Sequence, residues 1–277
     1  MNKKRVYQII SITVLFLNGA MFLIPIFFLI INSFKPLKEI LLSFVSMPKD
    51  FTIQNYTGAW NRIDYLSIFF NTLHLAVGAV IITVLFSSLC GYKLQRTRGK
   101  ISKVLYFYFL IGLIIPFTVI MVPMSMFLLG TLQMGNNLTL LIFVYAALFM
   151  PVTVFIYYGY CKSIPLELDE AAMIDGCGQV RTFFQVVLPL TGTILVSIVV
   201  LSFLWTWNDF VVVLIAVDDP SLATITRRLN NFVGLFTGGE WDYFTAIVTL
   251  AMLPVVLLYA LLQKYVQQGL ISGAIKG

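Results

Sequence analysis

Charge is what this 277-residue chain has least of: Asp, Glu, Lys and Arg make up 11% of it, against 60% hydrophobic residues and a mean hydropathy of +0.94. A soluble domain carries about a quarter charged residues, so a soluble globular fold is excluded. Histidine occurs once, as His74, which rules out a His-cluster metal site and argues against a Ser-His-Asp device. A lone histidine inside an apolar run is expected to bond a neighbouring helix. Cysteine occurs three times, as Cys90, Cys161 and Cys177, an odd number without a C-x-x-C pair, so reduced thiols are expected. There is also no G-x-x-x-x-G-K-[ST]. Gly99-Lys100 lacks the first glycine and the following hydroxyl, so this chain does not itself cradle nucleotide phosphates. No catalytic residue, metal or bound cofactor is expected.

Long apolar runs are what the sequence does have. Crossing a hydrocarbon core takes about 20 helical residues, because every backbone N–H and C=O must be satisfied within its own segment. Six stretches qualify, at about 7–32, 67–92, 104–129, 138–160, 191–217 and 243–265. Lys3, Lys4 and Arg5 precede the first, but the run is too long for a signal core and Asn32 to Pro36 does not resemble a small-residue cleavage site, so it reads as a retained span. No soluble domain fits the loops, and residues 1–277 read as one transmembrane domain.

Orientation follows from the 18 basic residues. With the N-terminus in the cytoplasm, twelve fall inside: Lys3, Lys4, Arg5, Lys93, Arg96, Arg98, Lys100, Lys103, Lys162, Arg181, Lys264 and Lys276. Six fall outside: Lys35, Lys38, Lys49, Arg62, Arg227 and Arg228. That asymmetry predicts both termini in the cytoplasm. The net charge of +6 is then a topology and lipid-headgroup signal and requires no nucleic acid.

One segment breaks the apolar pattern, "SIPLELDEAAMIDGCGQVRTFFQVVLPL" at 163–190, placed in the cytoplasm between spans four and five. Pro165 suits a first helical turn, Glu167, Asp169 and Glu170 complement a positive helix end, and Gly176 and Gly178 can end the helix near Asp175. On such a helix Glu167, Glu170, Ala171 and Ile174 share a face, with Ala172 adjoining. Val180, Phe183, Phe184 and Val187 then repeat at helical spacing, with Pro189 expected to stop the pattern. By composition alone, a solvated connector and a partner-facing helix both remain open.

"EAAMIDG", Glu170 to Gly176, followed by Leu188-Pro189, resembles the EAA signature of permease subunits in bacterial ABC importers. Further segments agree in order: "NSFKP" after span one, "FTIQNYTGAW" outside, "FFNTL" entering span two, "GYKLQR" leaving it, "IPFTVIMVP" in span three, "WTWNDF" in span five and "QQGLISGAIKG" at the end. Together they resemble the MalG-like permeases of bacterial ABC carbohydrate importers, over nearly the whole chain.

The resemblance implies an all-α membrane protein of six transmembrane helices, with the cytoplasmic coupling-helix loop of a type I ABC importer permease. Glu167, Glu170, Ala171, Ala172, Asp175 and Gly176 would meet a cytoplasmic ATPase, Glu170 as the charged anchor and Gly176 as the turn. The tail residues Gly273, Ala274, Lys276 and Gly277 would reach between two ATPase subunits. ATP and Mg would bind those subunits and not this chain. A second homologous permease, an extracellular or periplasmic solute-binding protein and the lipid bilayer of the bacterial inner membrane complete the expected partners. Sugars, above all oligosaccharides, are the implied substrates. An importer for a polyamine or phosphorylated polyol is the nearer alternative, and an ATP-independent transporter or channel the more distant one.

The substrate path is marked by interruptions. Pro116 and Pro123 in span three, Pro151 in span four and Pro254 in span six are places where helices unwind or kink. Trp207, Asn208 and Asp209 bring polar and aromatic groups into span five, with Trp205 nearby. Asp209 is either a path residue or a structural bond to the partner permease. Two departures from the family pattern stand out: Cys177-Gly178 in the turn after the EAA helix, and Arg227-Arg228 in an outer loop, where they would be solvated or would steer an anionic saccharide.

Overall fold

The computed structural model describes residues 3–133, 135–235 and 239–274, and among these the chain forms helices and no strand. In order they are α1 (Lys3–Asn32), α2 (Leu37–Leu42), α3 (Gln54–Ile63), α4 (Tyr65–Arg96), α5 (Lys100–Ile114) and α6 (Phe117–Ser125), which runs into a π-helical turn at Met126–Thr131. Next come α7 (Leu138–Cys161), α8 (Glu167–Ile174), α9 (Gln179–Thr182), a π-helical turn at Phe183–Val187, α10 (Leu188–Leu190), α11 (Gly192–Asn208) and α12 (Val211–Ala216). A 3₁₀ turn at Pro220–Leu222, α13 (Ile225–Leu235) and α14 (Trp241–Ala274) complete the described chain.

Among the described residues four helices are long and apolar enough to cross a membrane: Tyr7–Asn32, Tyr65–Arg96, Leu138–Cys161 and Trp241–Lys264. Two bent pairs bring the number to six if each pair is one span: Lys100–Ile114 with Phe117–Thr131, bent by 97°, and Gln179–Leu190 with Gly192–Asn208, bent by 82°. The third expected span is therefore broken, at Pro116, which has extended backbone geometry before α6; its ring fixes φ and removes the N–H that would have continued α5. The other prolines do not act this way. Pro123, Pro151 and Pro254 lie inside α6, α7 and α14. Nor does Pro189 stop the helix that follows the EAA segment; that turn ends at Thr191, two residues later.

The fifth expected span, 191–217, also stops short. At Asp209 the backbone turns extended, φ −73° and ψ 136°, and its carboxylate accepts a hydrogen bond from Val212 N at 3.0 Å. A short acidic side chain that satisfies the first N–H groups of the next helix ends one helix by starting another. The segment around Arg227-Arg228, expected as an outer loop, is the start of α13. Arg227 is half-buried there and donates to Val213 O at 3.2 Å, because backbone carbonyls at the end of α12 lie within reach of its guanidinium.

The contacts divide the chain into two units. One takes residues 1–66 and 228–253. Within it the "NSFKP" residues form a polar knot: Asn32 Nδ2 donates to Phe44 O at 2.8 Å, and Asn55 Nδ2 donates to Ser33 O and Lys35 O at 2.9 and 2.8 Å. Lys35 is itself fully buried, its Nζ donating to Ser43 O at 3.2 Å. Burial pushes this ammonium below its ordinary range, with Glu39 opposing the shift.

The other unit takes residues 67–227 and 254–277. Its helices α4 and α7 pack through small residues. A Cβ on Gly91 would come within 3.0 Å of Tyr158 N and 3.1 Å of a Tyr157 ring carbon. Apolar clusters form its core among the described residues. One centres on Leu75, Leu141, Tyr145 and Val213, another on Tyr92, Tyr157, Phe183 and Ile198. His74 bonds across helices as expected, Nε2 lying 3.3 Å from Thr139 Oγ1.

Candidate functional site

The acidic segment folds as α8, eight residues long, which is too short to be stable in isolation. Three things hold it. Gly176 takes φ +83°, a backbone conformation open to glycine at no steric cost. Ala172 is buried against its own chain. Asp169, the third anchor, is 2% exposed; its Oδ1 accepts from Tyr92 Oη and its Oδ2 lies 2.7 Å from Arg96 Nη2. The same Arg96 nitrogen donates to Ile164 O at 3.1 Å. Tyr92 and Arg96 stand one turn apart on α4, so one face of the helix end presents both donors.

The four acids therefore divide. Asp169 turns inward, whereas Glu167, Glu170 and Asp175 are exposed. Ala171 is exposed as well, and Ile174 is 86% exposed. Glu167, Glu170, Ala171 and Ile174, expected to share a face, are thus all exposed, and Ala172, on the adjoining side, lies inside. Helix periodicity fixes which residues share a face, but tertiary packing decides which face points outward.

Beneath α8, the turn Phe183–Val187 and the start of α11 seat on α4 and α7. The Phe183 ring lies 5.2 Å from that of Tyr92, and Tyr157 Oη is 2.9 Å from Thr191 Oγ1. Of the tail residues, Gly273 and Ala274 fall in the last turn of α14. Lys276 and Gly277 lie outside the described residues.

A cavity of about 590 Å³ opens where α5, α6, α7, α11 and α12 meet, lined by Phe117, Tyr145, Phe149, Trp205, Asn208 and Asp209 among others. The breaks at Pro116 and Asp209 form its walls: Ile115 and Phe117 flank the first, and Asp209 marks the second. Asp209 Oδ1 accepts from Tyr145 Oη at 2.8 Å as well as from Val212 N, and Thr226 Oγ1 donates to Asp209 O at 2.6 Å. This carboxylate both shapes the backbone and lines a cavity.

Asn208 lines the cavity and uses its Nδ2 on Leu204 O at 2.8 Å. Trp207, expected on the path, is 2% exposed and packs among Phe69 and Phe203. Its neighbour Trp205, two residues earlier and so on the opposite face of α11, lines the cavity and lies 4.9 Å from Phe149. Pro123 is exposed in α6 and does not line the cavity. Sequence reasoning missed the Tyr92–Asp169–Arg96 cluster. Its signal was present in "GYKLQR", an aromatic and a cation four residues apart at the same membrane face as the acids.

Known proteins match this chain closely. Residues 83–272 match the model of the family described as binding-protein-dependent transport system inner membrane component. The probable starch degradation products transport system permease protein AmyC of Thermoanaerobacterium thermosulfurigenes is 34% identical over 91% of this chain and 91% of its own length. The melibiose/raffinose/stachyose import permease protein MelC of Bacillus subtilis is 34% identical over 92% of this chain and 91% of its own. A crystal structure of a bacterial ABC transporter that imports the acidic polysaccharide alginate contains a chain with the same fold, at a TM-score of 0.79 and 18% identity, covering 96% of this chain and 98% of that one. Motif order, helical fold and these matches agree: the chain is a transport permease subunit that belongs to the family of binding-protein-dependent transport system inner membrane components.

Proposed function

We propose that this chain is one permease half of an ATP-driven importer for sugars, above all oligosaccharides, and that α8 is the element through which ATP hydrolysis drives it. ATPase and solute-binding partners come with the family in general; two ATPase subunits, a second homologous permease and a cytoplasmic position for both termini are our reading. One observation carries it. α8 is fastened to its own chain through Asp169 and Ala172, yet leaves Glu167, Glu170, Ala171 and an 86%-exposed Ile174 outward beyond the ends of the spans. A rigid short helix with acids, a small residue and an exposed branched apolar side chain is what a cleft with basic walls would accept. ATP and Mg would sit on the ATPases, since this chain has no phosphate-cradling loop.

The cavity supports the sugar assignment. Its volume lies in the range of small-ligand sites, and Trp205, Phe149 and Tyr145 offer flat apolar surfaces beside the carboxylate of Asp209 and the amide of Asn208. Sugar rings present apolar faces and hydroxyl edges that suit such a lining. Relatives whose names specify starch degradation products and raffinose-type oligosaccharides point the same way. Transport would proceed by alternating access, with ATP and loaded binding protein favouring the same outward state.

The test is retention of the ATPase by the purified assembly. Removing one side of a partly buried charge contact costs about 2–5 kcal/mol, so Glu170→Ala should shed ATPase and abolish uptake while chain level and helix content stay normal. Gly176→Val, which forces a branched side chain into a positive φ, should do the same. Wild-type stoichiometry together with wild-type uptake in both variants would refute the assignment.

A further inference from the structure

Among the four long membrane helices, α4 has no proline within it, whereas α1, α7 and α14 contain Pro25, Pro151 and Pro254. An uninterrupted ladder of backbone hydrogen bonds makes a helix stiff along its axis, and proline removes one of those bonds. α4 is also fastened by polar bonds at both ends. Near its C-terminus Tyr92 and Arg96 hold the buried Asp169 of α8. Near its start Asn71 Nδ2 donates to Ser221 O and Ala223 O at 2.8 and 3.1 Å, and the buried Thr72 Oγ1 accepts from Ile225 N at 3.0 Å. Thr72 and Arg96 are 24 residues apart, about 36 Å along a helix.

We propose that α4 is the strut through which movement of α8 reaches the opposite face of the chain, with Asp169–Arg96–Tyr92 as its inner fastening and Asn71–Thr72 as its outer one. These are positioning residues. Apolar contacts under α8 can slide with little change in energy, but a buried ion pair cannot part without leaving an uncompensated charge, so a pull on α8 is transmitted to α4. At the far end two side chains grip three backbone groups of 221–225, the stretch that leads into α13. On the proposed topology that stretch faces the solute-binding protein. The inference rests on the reading of α8 as the ATPase-facing helix.

Asp169→Asn and Asn71→Leu, singly and together, test it in the full assembly reconstituted with its binding protein. Each single variant is expected to retain ATPase at wild-type stoichiometry and to hydrolyse ATP, but without stimulation by loaded binding protein, and to lose uptake by about tenfold or more, at Asp169 because a buried pair is left with one partner. The double variant is expected to be no worse than either single one, because a strut released at one end transmits nothing further. Two independent structural lesions that far apart would multiply instead.

In variants that accumulate normally, multiplied losses, unchanged uptake in either single variant, or loss of ATPase together with uptake would each overturn the strut. Should Asp169→Asn not accumulate, Tyr92→Phe, which removes one hydroxyl, is judged by the same criteria. Failure of the underlying reading shows elsewhere, as wild-type ATPase stoichiometry and uptake in both Glu170→Ala and Gly176→Val.

Discussion

Glu39 sits in the first turn of α2, and both oxygens of its carboxylate are used: they accept backbone N–H bonds from Lys49 at 3.0 Å and from Asp50 at 2.9 Å. The bond from Lys49 is the chief reason its acidity is strengthened, so that it titrates below the ordinary 4.5. A depressed carboxylate binds fewer protons folded than unfolded, so its stabilisation is complete above the ordinary value and is lost as pH falls through the folded one. Segment 43–50, which this carboxylate ties to α2, should therefore become protease-sensitive as pH is lowered from 6 to 3. Glu39→Gln should be sensitive throughout, with little dependence on pH. A wild-type chain equally resistant across that range would show the tie to be idle. Single-residue geometry of this kind also separates the acids of α8, where Asp169 holds and Glu170 reaches out.

At the scale of elements, Gly91 sets how closely α4 and α7 approach, since an added Cβ would meet Tyr158 backbone at 3.0 Å. Backbone cannot rotate aside, so the helices must separate; overpacking of this kind costs about 1–3 kcal/mol. Gly91→Ala should lower the thermal midpoint of the chain in lipid nanodiscs, whereas Gly99→Ala, with open space around it, should not. An unaltered midpoint for Gly91→Ala would mean the interface is looser than its geometry.

The spans were legible in the sequence because length and apolarity are properties of one segment at a time. What ended them was only partly legible. Pro116 broke a helix and Pro123, Pro151, Pro189 and Pro254 did not, because a helix survives proline where neighbouring packing re-satisfies the freed carbonyl, and a single chain's sequence does not display its neighbours. Which residues of α8 share its exposed side was legible from periodicity, but the inward turn of Asp169 depends on Arg96, 73 positions away. Trp205 and Trp207 exchanged roles for the same reason: their spacing says that they oppose each other, not which one meets the cavity.

For the whole molecule the decisive quantity is sidedness. The coupling proposal requires the loop at 163–190 to face the compartment that holds ATP, the side on which the twelve-to-six division of basic residues would put it. The chain's own thiols can report this. Cys177 follows Gly176 at the end of α8 and is half-exposed, Cys161 is fully buried, and Cys90 lies within α4. A membrane-impermeant maleimide should label the chain in inside-out vesicles and leave it unlabelled in right-side-out ones. Cys177→Ser should abolish the signal, since Cys161 is buried and Cys90 is half-buried within the apolar α4. Labelling from the outer face would put Glu170 on the wrong side for any ATPase, and both the coupling role of α8 and the strut that depends on it would fall together.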